Sequence, residues 1–325
     1  MNKILKSREL SSLGVIIVII LAVGLFNPSF LSPNNIFQMV NGSAVYALVA
    51  LGMAFVLFTG EIDVSVGATL GFSAAIAGTL ITSGAPIFWA FLISILFGVI
   101  VGICNAVGVI FFKIPSIIMT LGTYGIIRGC IYVFTGGKWI ENLPFEFKGL
   151  AQKLLFNSFS WFYISILLIT LILYLLTSRT GVGKSFKAVG DNIDGAKLIG
   201  ISVNRTKVLS FILCGAFAAL AGVLYASRVG FITPTAGVGY EMIAIAACVI
   251  GGINLNGGVG TVWGSITGSL IMASISRILV FLGFPSTFDN TITGLLLIVI
   301  VVAGAVMNRR SAEKLRRERL SAKIG

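Results

Sequence analysis

The amino-acid sequence predicts an all-α polytopic membrane protein with about ten transmembrane helices and both termini in the cytoplasm. Hydrophobic residues make up 57% of its 325 positions and charged residues only 10%, whereas a soluble domain carries about 25% charged residues. Apolar runs of membrane-spanning length recur along the whole chain. Lysine and arginine concentrate between particular runs, and such basic segments mark the cytoplasmic side of a membrane.

The apolar runs give about ten candidate spans when roughly 20 mainly apolar residues are required for each. They lie at residues 11–27, 36–58, 64–83, 87–112, 115–135, 159–177, 208–227, 241–253, 258–282 and 291–307. The eighth is too short to cross as a straight helix, so either it is a broken helix or the count differs by one or two.

The two ends of the chain fix the predicted orientation. We interpret the first run as a retained span, because no small-x-small cleavage site of a signal peptide follows it. With an even number of spans, the basic segment at 308–325 places both termini inside the cell. We therefore expect a single transmembrane domain over residues 1–325 in a cell membrane.

The composition also disfavours several other classes of protein. The net charge of +12 follows from topology rather than from nucleic-acid binding, because most of the 23 Lys and Arg residues lie in predicted cytoplasmic segments. The four cysteines stand singly in apolar runs and the chain has no histidine. We expect no disulfide framework, no metal site and no cofactor.

The longest polar interval between two apolar runs, residues 178–207, predicts a cytoplasmic loop that carries a short helix. It holds six basic residues against two acidic ones. Asp191 or Asn192 can cap the helix at its start, and Gly200 supplies the residue that ends it. Because this partly apolar helix has no core of its own, it either lies on the bundle or docks into a partner's groove.

Two glycine-rich stretches resemble nucleotide sites without meeting their requirements. Residues 181–185 match the end of a phosphate-binding P-loop, but Ser178 occupies the position of its first glycine and a membrane span precedes it. The run at 251–264 lacks the order of a dinucleotide-binding turn. We expect no nucleotide to bind at either stretch.

Turns at residues 60–67 and 251–258 share the pattern G-x-I-[D/N]-[V/L]-[S/N]-x-G. Both are predicted to be cytoplasmic, so they are either a parallel internal repeat of the kind that flanks transport pathways or a chance similarity. Their polar side chains can also cap the helices that follow.

Elsewhere, small residues spaced four apart predict close helix packing: Gly67 and Gly71, Gly98 and Gly102, Gly125 and Gly129, Ala218 and Gly222, Gly264 and Gly268.

Charged residues at membrane depth are candidates for function. Arg128 lies in the outer half of the fifth span, and four others lie at or near outer ends of spans: Arg228, Glu241, Arg277 and Asp289. They either snorkel or pair with one another, or they form an outer rim that docks a charged partner or admits a polar solute. The spans lack the paired buried carboxylates that an ion-coupled carrier commonly needs.

Polar and aromatic residues on apolar spans are candidates for a solute path, because sugars are bound by hydrogen bonds and aromatic faces. Six residues meet this description: Asn41, Tyr46, Asn105, Thr120, Tyr124 and Tyr132. Packing or interhelical hydrogen bonding is the alternative role for each of them.

Three stretches resemble the permease subunits of bacterial ATP-binding-cassette importers for monosaccharides, with the autoinducer-2 importers as close relatives. Residues 60–67 resemble the GGIDLSVG turn of that family, 188–201 its coupling loop, and 234–264 its PTAG-GYEL region. Three positions depart from the family pattern: Glu61 replaces a glycine, and Ile193 and Gly195 replace an acid and an alanine.

The resemblance implies a permease subunit that is not itself an enzyme and that passes a monosaccharide or similar small polar solute. Its implied partners are an ATPase subunit, an extracytoplasmic sugar-binding protein and a second permease, either another copy or a homologue. The ATPase contact would lie in the coupling loop, at Gly190, Asp191, Asn192, Ala196, Lys197, Leu198 and Gly200. We expect Arg228 and Arg277 to dock the binding protein.

Two other functions remain as alternatives. An ion-coupled secondary carrier would transport the solute without an ATPase. A membrane-embedded transferase or protease is disfavoured, because the sequence offers no polar catalytic cluster near the bilayer.

Overall fold

A computed structural model describes residues 27–155 and 158–283, with pieces at 20–25 and 291–295 and single positions at 14, 17, 285, 288, 298, 299 and 302. The first and tenth predicted spans are described only in part. Asp289 and the basic segment at 308–325 lie outside the described residues. The cytoplasmic placement of both termini and the total of about ten spans therefore stay predictions.

The described part is almost entirely helical. Its helices are α1 (Pro33–Gly42), α2 (Ala44–Phe58), α3 (Val66–Thr82), α4 (Ile87–Ile110), α5 (Ser116–Thr135), α6 (Phe145–Gln152), α7 (Trp161–Arg179), α8 (Gly181–Asp191), α9 (Ile193–Leu198), α10 (Val203–Val229), α11 (Tyr240–Ile250) and α12 (Val262–Phe281). A short 3-10 helix, Pro28–Leu31, precedes α1, and the strands β1 (Leu154–Leu155) and β2 (Phe159–Ser160) form an antiparallel hairpin.

Within the described residues, 6 helices are long and apolar enough to cross a membrane. They are α1 and α2 together as Pro33–Phe58, then α4, α5, α7, α10 and α12. The third predicted span is the shorter helix α3. The eighth is α11, whose 11 residues cover only about 16 Å of a hydrocarbon core about 30 Å thick. The prediction that the eighth segment is too short to cross is confirmed.

Helix α10 lies at the centre of the bundle and packs against α2, α3 and α4. The small residues predicted to permit close packing explain this arrangement. A Cβ on Gly98 of α4 would overlap the carbonyl oxygen of Gly215 on α10, and one on Gly222 would overlap that of Leu70 on α3. Since backbones touch at these points, larger side chains would separate the helices.

The bundle has a buried helix and open faces. Nearly every residue of α2 is buried, as expected for a helix that is apolar on all sides. By contrast, only 17% of the most apolar part of α5 is buried, so most of this helix faces lipid or another protein.

The connection between α10 and α11, residues 230–239, runs as irregular backbone along α3. Near its start, Ile232 exchanges two hydrogen bonds of 2.9 Å with Ile140. Further along, the carbonyl oxygens of Ala236 and Gly237 lie against Gly71 and Gly67 of α3, respectively. Such backbone is tolerated at membrane depth only where protein covers it. The glycine face of α3 supplies that cover.

Candidate functional site: a coupling face and an outer cavity

The predicted cytoplasmic loop folds as the helix pair α8 and α9, at what we call the coupling end of the bundle. Asn192 caps α9, because its side-chain oxygen accepts a hydrogen bond of 2.9 Å from the backbone N–H of Gly195. Gly200 follows the helix with a φ of +82°, the left-handed conformation that glycine adopts most readily. The predicted start and end of the helix are confirmed, with Asn192 rather than Asp191 as the cap.

Three apolar side chains are exposed at the α9 end of this pair, among charged and polar ones. Leu198 is 88% exposed, Ile199 74% and Ile193 41%, and we call these three residues the coupling tip. Exposed apolar side chains grouped on one short segment are a common feature of surfaces that dock another protein. Lys197 pairs with Asp194 at 3.3 Å on the exposed face, a contact that contributes little.

Ala196 occupies a different environment from the coupling tip. It is only 3% exposed, so its side chain packs within the permease. The sequence assigned it to the ATPase contact, but its methyl group is not available to a partner in this structure. Its burial instead holds α9 against the rest of the chain.

Aromatic contacts attach α8 to the last turns of α2. The ring of Phe186 packs edge-on against that of Phe55, with 5.2 Å between centroids. The ammonium of Lys187 lies 5.3 Å from the centroid of the Phe58 ring, within the range of a cation–π interaction. A displacement of α8 would therefore be transmitted to α2.

Four glycines join the coupling loop to the two similar turns, and we call Gly60, Gly190, Gly257 and Gly258 the glycine junction. A Cβ on Gly190 would overlap the carbonyl oxygen of Phe58, and Gly257 lies between Gly60 and Gly190. The N–H of Gly258 also donates to the Phe58 carbonyl at 3.1 Å. The turns at 60–67 and 251–258 thus meet at the same end of the bundle, as the parallel arrangement predicts.

Glu61, which stands where the family pattern has a glycine, forms a salt bridge with Lys207. The two side chains are 16% and 15% exposed, so the pair is largely shielded from water. It connects the first similar turn to the beginning of α10.

The chemistry of Asp63 was not foreseen beyond its capacity to cap a helix. The carboxylate is 1% exposed and accepts hydrogen bonds from the N–H and hydroxyl of Ser65, at 2.9 and 2.6 Å. Asn105 of α4 donates to the same carboxylate at 3.4 Å and to the Ser65 hydroxyl at 2.9 Å. Thr123 of α5 in turn donates to Asn105 at 2.7 Å. The network joins a turn to two helices.

Four of the predicted solute-path residues serve other contacts or lie apart from any cavity described below. Asn105 is fully buried in the Asp63 network, and Thr120 accepts a hydrogen bond of 3.0 Å from the backbone of Val64. Tyr124 carries the guanidinium of Arg128 over its ring at 5.1 Å, and Tyr132 is half-exposed on α5. Interhelical bonding, the alternative role, accounts for the first two.

Asn41 has a structural role at the opposite, outer end of the bundle. Its side chain donates to the carbonyl of Ser158 at 3.0 Å and accepts from the N–H of Ser160 at 2.8 Å. These bonds hold the β-hairpin against α1. Among the six predicted residues, Tyr46 is the one that lines a cavity.

A cavity of about 300 Å³ lies between the second halves of α1 and α12, the last turns of α10 and the first turns of α2 and α11. We call it the outer cavity, because the predicted topology puts it toward the outer side. Its polar lining consists of Gln38, Tyr46, Tyr225, Arg228, Tyr240, Ser276 and Arg277, and its apolar lining includes Met39, Val45, Val229, Ala273 and Val280. The ring of Tyr240 packs edge-on against those of Tyr46 and Tyr225, with centroids 5.3 and 6.0 Å apart. Aromatic faces and hydrogen-bond donors thus line one space.

The two arginines of this lining are held by neutral partners. Arg228 donates to the carbonyl oxygen of Asn41. Arg277 donates to the side-chain oxygens of Asn35 at 2.8 Å and Gln38 at 2.5 Å. Among the described residues, neither arginine has a carboxylate within 4.0 Å. The structure places both beside Tyr46 in the cavity wall, and their assignment to the docking of a binding protein stays a prediction.

Arg128 supports the irregular connection between α10 and α11. It donates to the carbonyl oxygen of Ala236 at 2.6 Å, which satisfies a backbone group that no helix pairs. Two further nitrogens of Arg128 and one oxygen of Glu241 are buried without a hydrogen-bond partner among the described residues. Glu241 is 7% exposed, so it is buried against α3 rather than placed on an outer rim.

The comparisons with known proteins agree with this arrangement. A family model described as branched-chain amino acid transport system / permease component matches residues 35–301. The autoinducer 2 import system permease protein LsrC of Escherichia coli O9:H4 (strain HS) is 37% identical over 313 residues, covering 96% of this chain and 91% of that protein. The LsrC proteins of Escherichia coli O157:H7 and Salmonella typhi are 38% and 36% identical over 91% and 96% of this chain, and over 86% and 90% of their own. No solved structure matches the chain.

The family match includes the coupling tip, the glycine junction and the residues of the outer cavity. The resemblance first indicated by three sequence stretches is therefore confirmed over nearly the whole chain. The chain belongs to the family of membrane permease components described as branched-chain amino acid transport system / permease component.

Proposed function

We propose that this chain forms the membrane pathway of an ATP-binding-cassette importer and passes a small sugar-like solute while a separate subunit hydrolyses ATP. One observation carries the proposal: α2 links a docking surface to a solute-sized cavity. Phe58 at one end of this helix contacts α8 and the glycine junction, and Tyr46 near the other end lines the outer cavity. Movement of α8 by an ATPase would therefore reach the cavity.

The coupling tip is the surface proposed to bind the ATPase. Its side chains are apolar and point away from the permease, while Asn192, Ala196 and Gly200 shape the helix that presents them. The resemblance also assigns Gly190, Asp191 and Lys197 to this contact. Gly190 supports this contact indirectly, from within the glycine junction. Backbone atoms of Phe58, Gly257 and Gly258 lie against it, so this residue does not itself face a partner.

The solute is proposed to be a monosaccharide or a similar small polar molecule. Three tyrosines and two arginines line the outer cavity, which suits a molecule with both C–H faces and hydroxyl groups. The LsrC relatives are named for the import of autoinducer 2. An extracytoplasmic binding protein is proposed to deliver the solute to this end of the bundle.

A second permease, a copy of this chain or a homologue, is proposed to pack against α5. Gly122, Gly125 and Gly129 lie along this helix, and a Cβ on any of them would meet no atom within 4 Å. The other predicted small-residue pairs that include two glycines all pack against neighbouring backbone or side chains in the chain itself. Small residues on a membrane helix permit close approach of a further helix.

Reconstitution tests the proposed function. Proteoliposomes should contain the permease, its ATPase and its binding protein, with a labelled sugar outside and ATP supplied to the ATPase. We expect uptake that needs all three proteins and ATP. Uptake by the permease alone, driven by a proton or sodium gradient, would instead establish the ion-coupled carrier.

A further inference from the structure

We propose that the outer cavity selects an anion: a small, hydroxyl-rich solute that carries a negative charge and binds between Arg228 and Arg277. The inference rests on the proposed function, because it assumes that the cavity receives the transported solute. It adds the charge of that solute, which neither the family nor the names of the relatives specify.

The charge balance of the cavity is the first argument. Its lining contains two guanidinium groups and no carboxylate, and within the described part of the chain neither arginine is in a salt bridge. Both arginines are only partly exposed, and an anionic ligand would offset the cost of holding a cation partly out of water without a counter-charge. A neutral sugar would supply no counter-charge, and among the described residues none is present.

The unused donors of the arginines are the second argument. A guanidinium has five N–H donors. Arg228 directs one of its end nitrogens to a backbone carbonyl, and Arg277 binds two neutral side-chain oxygens through two of its nitrogens. The remaining donors can form the paired hydrogen bonds with which arginine binds carboxylate or phosphate.

The size and aromatic lining of the cavity are the third argument. A volume of about 300 Å³ is at the lower end of the range for small-molecule sites. Tyr46, Tyr225 and Tyr240 line the same space with aromatic rings. A monosaccharide acid combines an apolar face and hydroxyls with a carboxylate, to which both arginines can donate.

The phosphate of a lipid headgroup carries the same charge and could reach the outer end of a membrane protein. The experiment must therefore distinguish a solute from a lipid. For this purpose the permease–ATPase complex is placed in nanodiscs of purely zwitterionic lipid, and in a second series of nanodiscs containing phosphatidylglycerol.

Equilibrium binding of labelled galacturonate and labelled galactose to these nanodiscs measures the preference directly. We expect galacturonate to bind at least about tenfold more tightly than galactose. Arg228→Gln and Arg277→Gln should each weaken galacturonate binding about tenfold and weaken galactose binding by a smaller factor, because only galacturonate loses a charge pair. Lys138→Gln is the matched control, because Lys138 is an exposed cation of an outer connection that does not line the cavity.

Co-purification with the ATPase and an unchanged melting temperature show that each variant is folded. Equal binding of the two probes, no binding of galacturonate, or unchanged galacturonate binding by both arginine variants would overturn the inference. Phosphatidylglycerol retained by the wild type, lost from the arginine variants and not displaced by galacturonate would assign the cavity to a lipid headgroup and overturn it as well. ATP-driven uptake of galactose alongside any of these results would still support the proposed function.

Discussion

Gly190, in the last turn of α8, has the carbonyl oxygen of Phe58 on one side and the backbone of Gly257 and Gly258 on the other. Protein interiors are packed closely enough that one added methyl group must displace its neighbours. At this position the neighbours are backbone atoms, which cannot rotate away as a side chain can. The coupling loop therefore keeps its place on the bundle only while residue 190 has no side chain.

We expect Gly190→Ala to lower the free energy of unfolding by about 1 to 3 kcal/mol, the usual cost of overpacking, and to reduce ATP-driven uptake. Gly181→Ala is the matched control in the same helix, because a Cβ there meets nothing within 4 Å. Thermal unfolding in detergent and uptake in proteoliposomes measure the two effects. Equal behaviour of the two variants would show that the junction has room for a methyl group.

Leu198 and Ala196 lie on one short helix but should respond to aspartate in opposite ways. Leu198→Asp adds a charge at a position that is 88% exposed, so the isolated permease should keep its melting temperature while losing its ATPase on purification. Ala196→Asp places a charge at a buried position, so it should lower the melting temperature itself. A Leu198→Asp permease that retains its ATPase through purification would remove the coupling tip from the ATPase contact.

At the scale of elements, the sequence predicted local features well and long-range partners poorly. The cap at Asn192, the end at Gly200 and the short eighth span follow from a few neighbouring residues, and the structure has all three. Asn105 carried no such local signal. Its partner Asp63 is 42 positions away, and an asparagine that joins two helices has the same sequence pattern as one that lines a path.

The irregular connection at 230–239 shows the same limit. The sequence indicated only that this stretch separates two predicted spans, whereas its course along α3 depends on Gly67 and Gly71 and on the hydrogen bond from Arg128. The sequence did identify Arg128 as the charged residue at greatest depth. The sequence could not identify the partner of Arg128, which is the carbonyl group of Ala236, 108 positions later.

The open face of α5 gives a prediction about the permease pair. Cys130 is exposed on this helix, and Cys104 is exposed on α4. If a second copy of the chain packs on α5, a short bifunctional thiol reagent should cross-link two copies in membranes. The cross-link should survive Cys104→Ser and disappear in Cys130→Ser. A heterodimer with another permease would give no band of twice the chain's mass in either background.

At the scale of the whole molecule, the outer cavity and the glycine junction lie at opposite ends of α2. Tyr46 and Phe58 are about 18 Å apart along this helix at 1.5 Å per residue. Because α2 is buried along almost its whole length, it cannot bend freely between its ends. A change at the coupling loop should therefore alter the walls of the outer cavity rather than be absorbed along the way.

Thiol labelling can follow that change in the reconstituted importer. In a background with Cys104→Ser and Cys130→Ser, Tyr46→Cys should react with a polar thiol reagent from outside to an extent that changes at least severalfold between ATP-bound and nucleotide-free states. Asn105→Cys is the control for burial and should stay unreactive in both. The native Cys214 and Cys248 are fully buried and can remain. A Tyr46→Cys that never reacts would separate the outer cavity from the solute path.

The irregular backbone at 230–239 also has a consequence for how the protein is made. Unpaired peptide groups are several kcal/mol unfavourable in lipid, so this stretch cannot settle in the bilayer before its cover exists. Chain order provides the cover first, since α3 and Arg128 leave the ribosome well before residue 230. In a circular permutant that begins at residue 203, residues 230–239 would be synthesised before α3 and Arg128, which cover them. The order of the segments along the chain thus sets the order in which they can fold. We expect the permutant to be degraded, although it contains every residue that forms the native contacts.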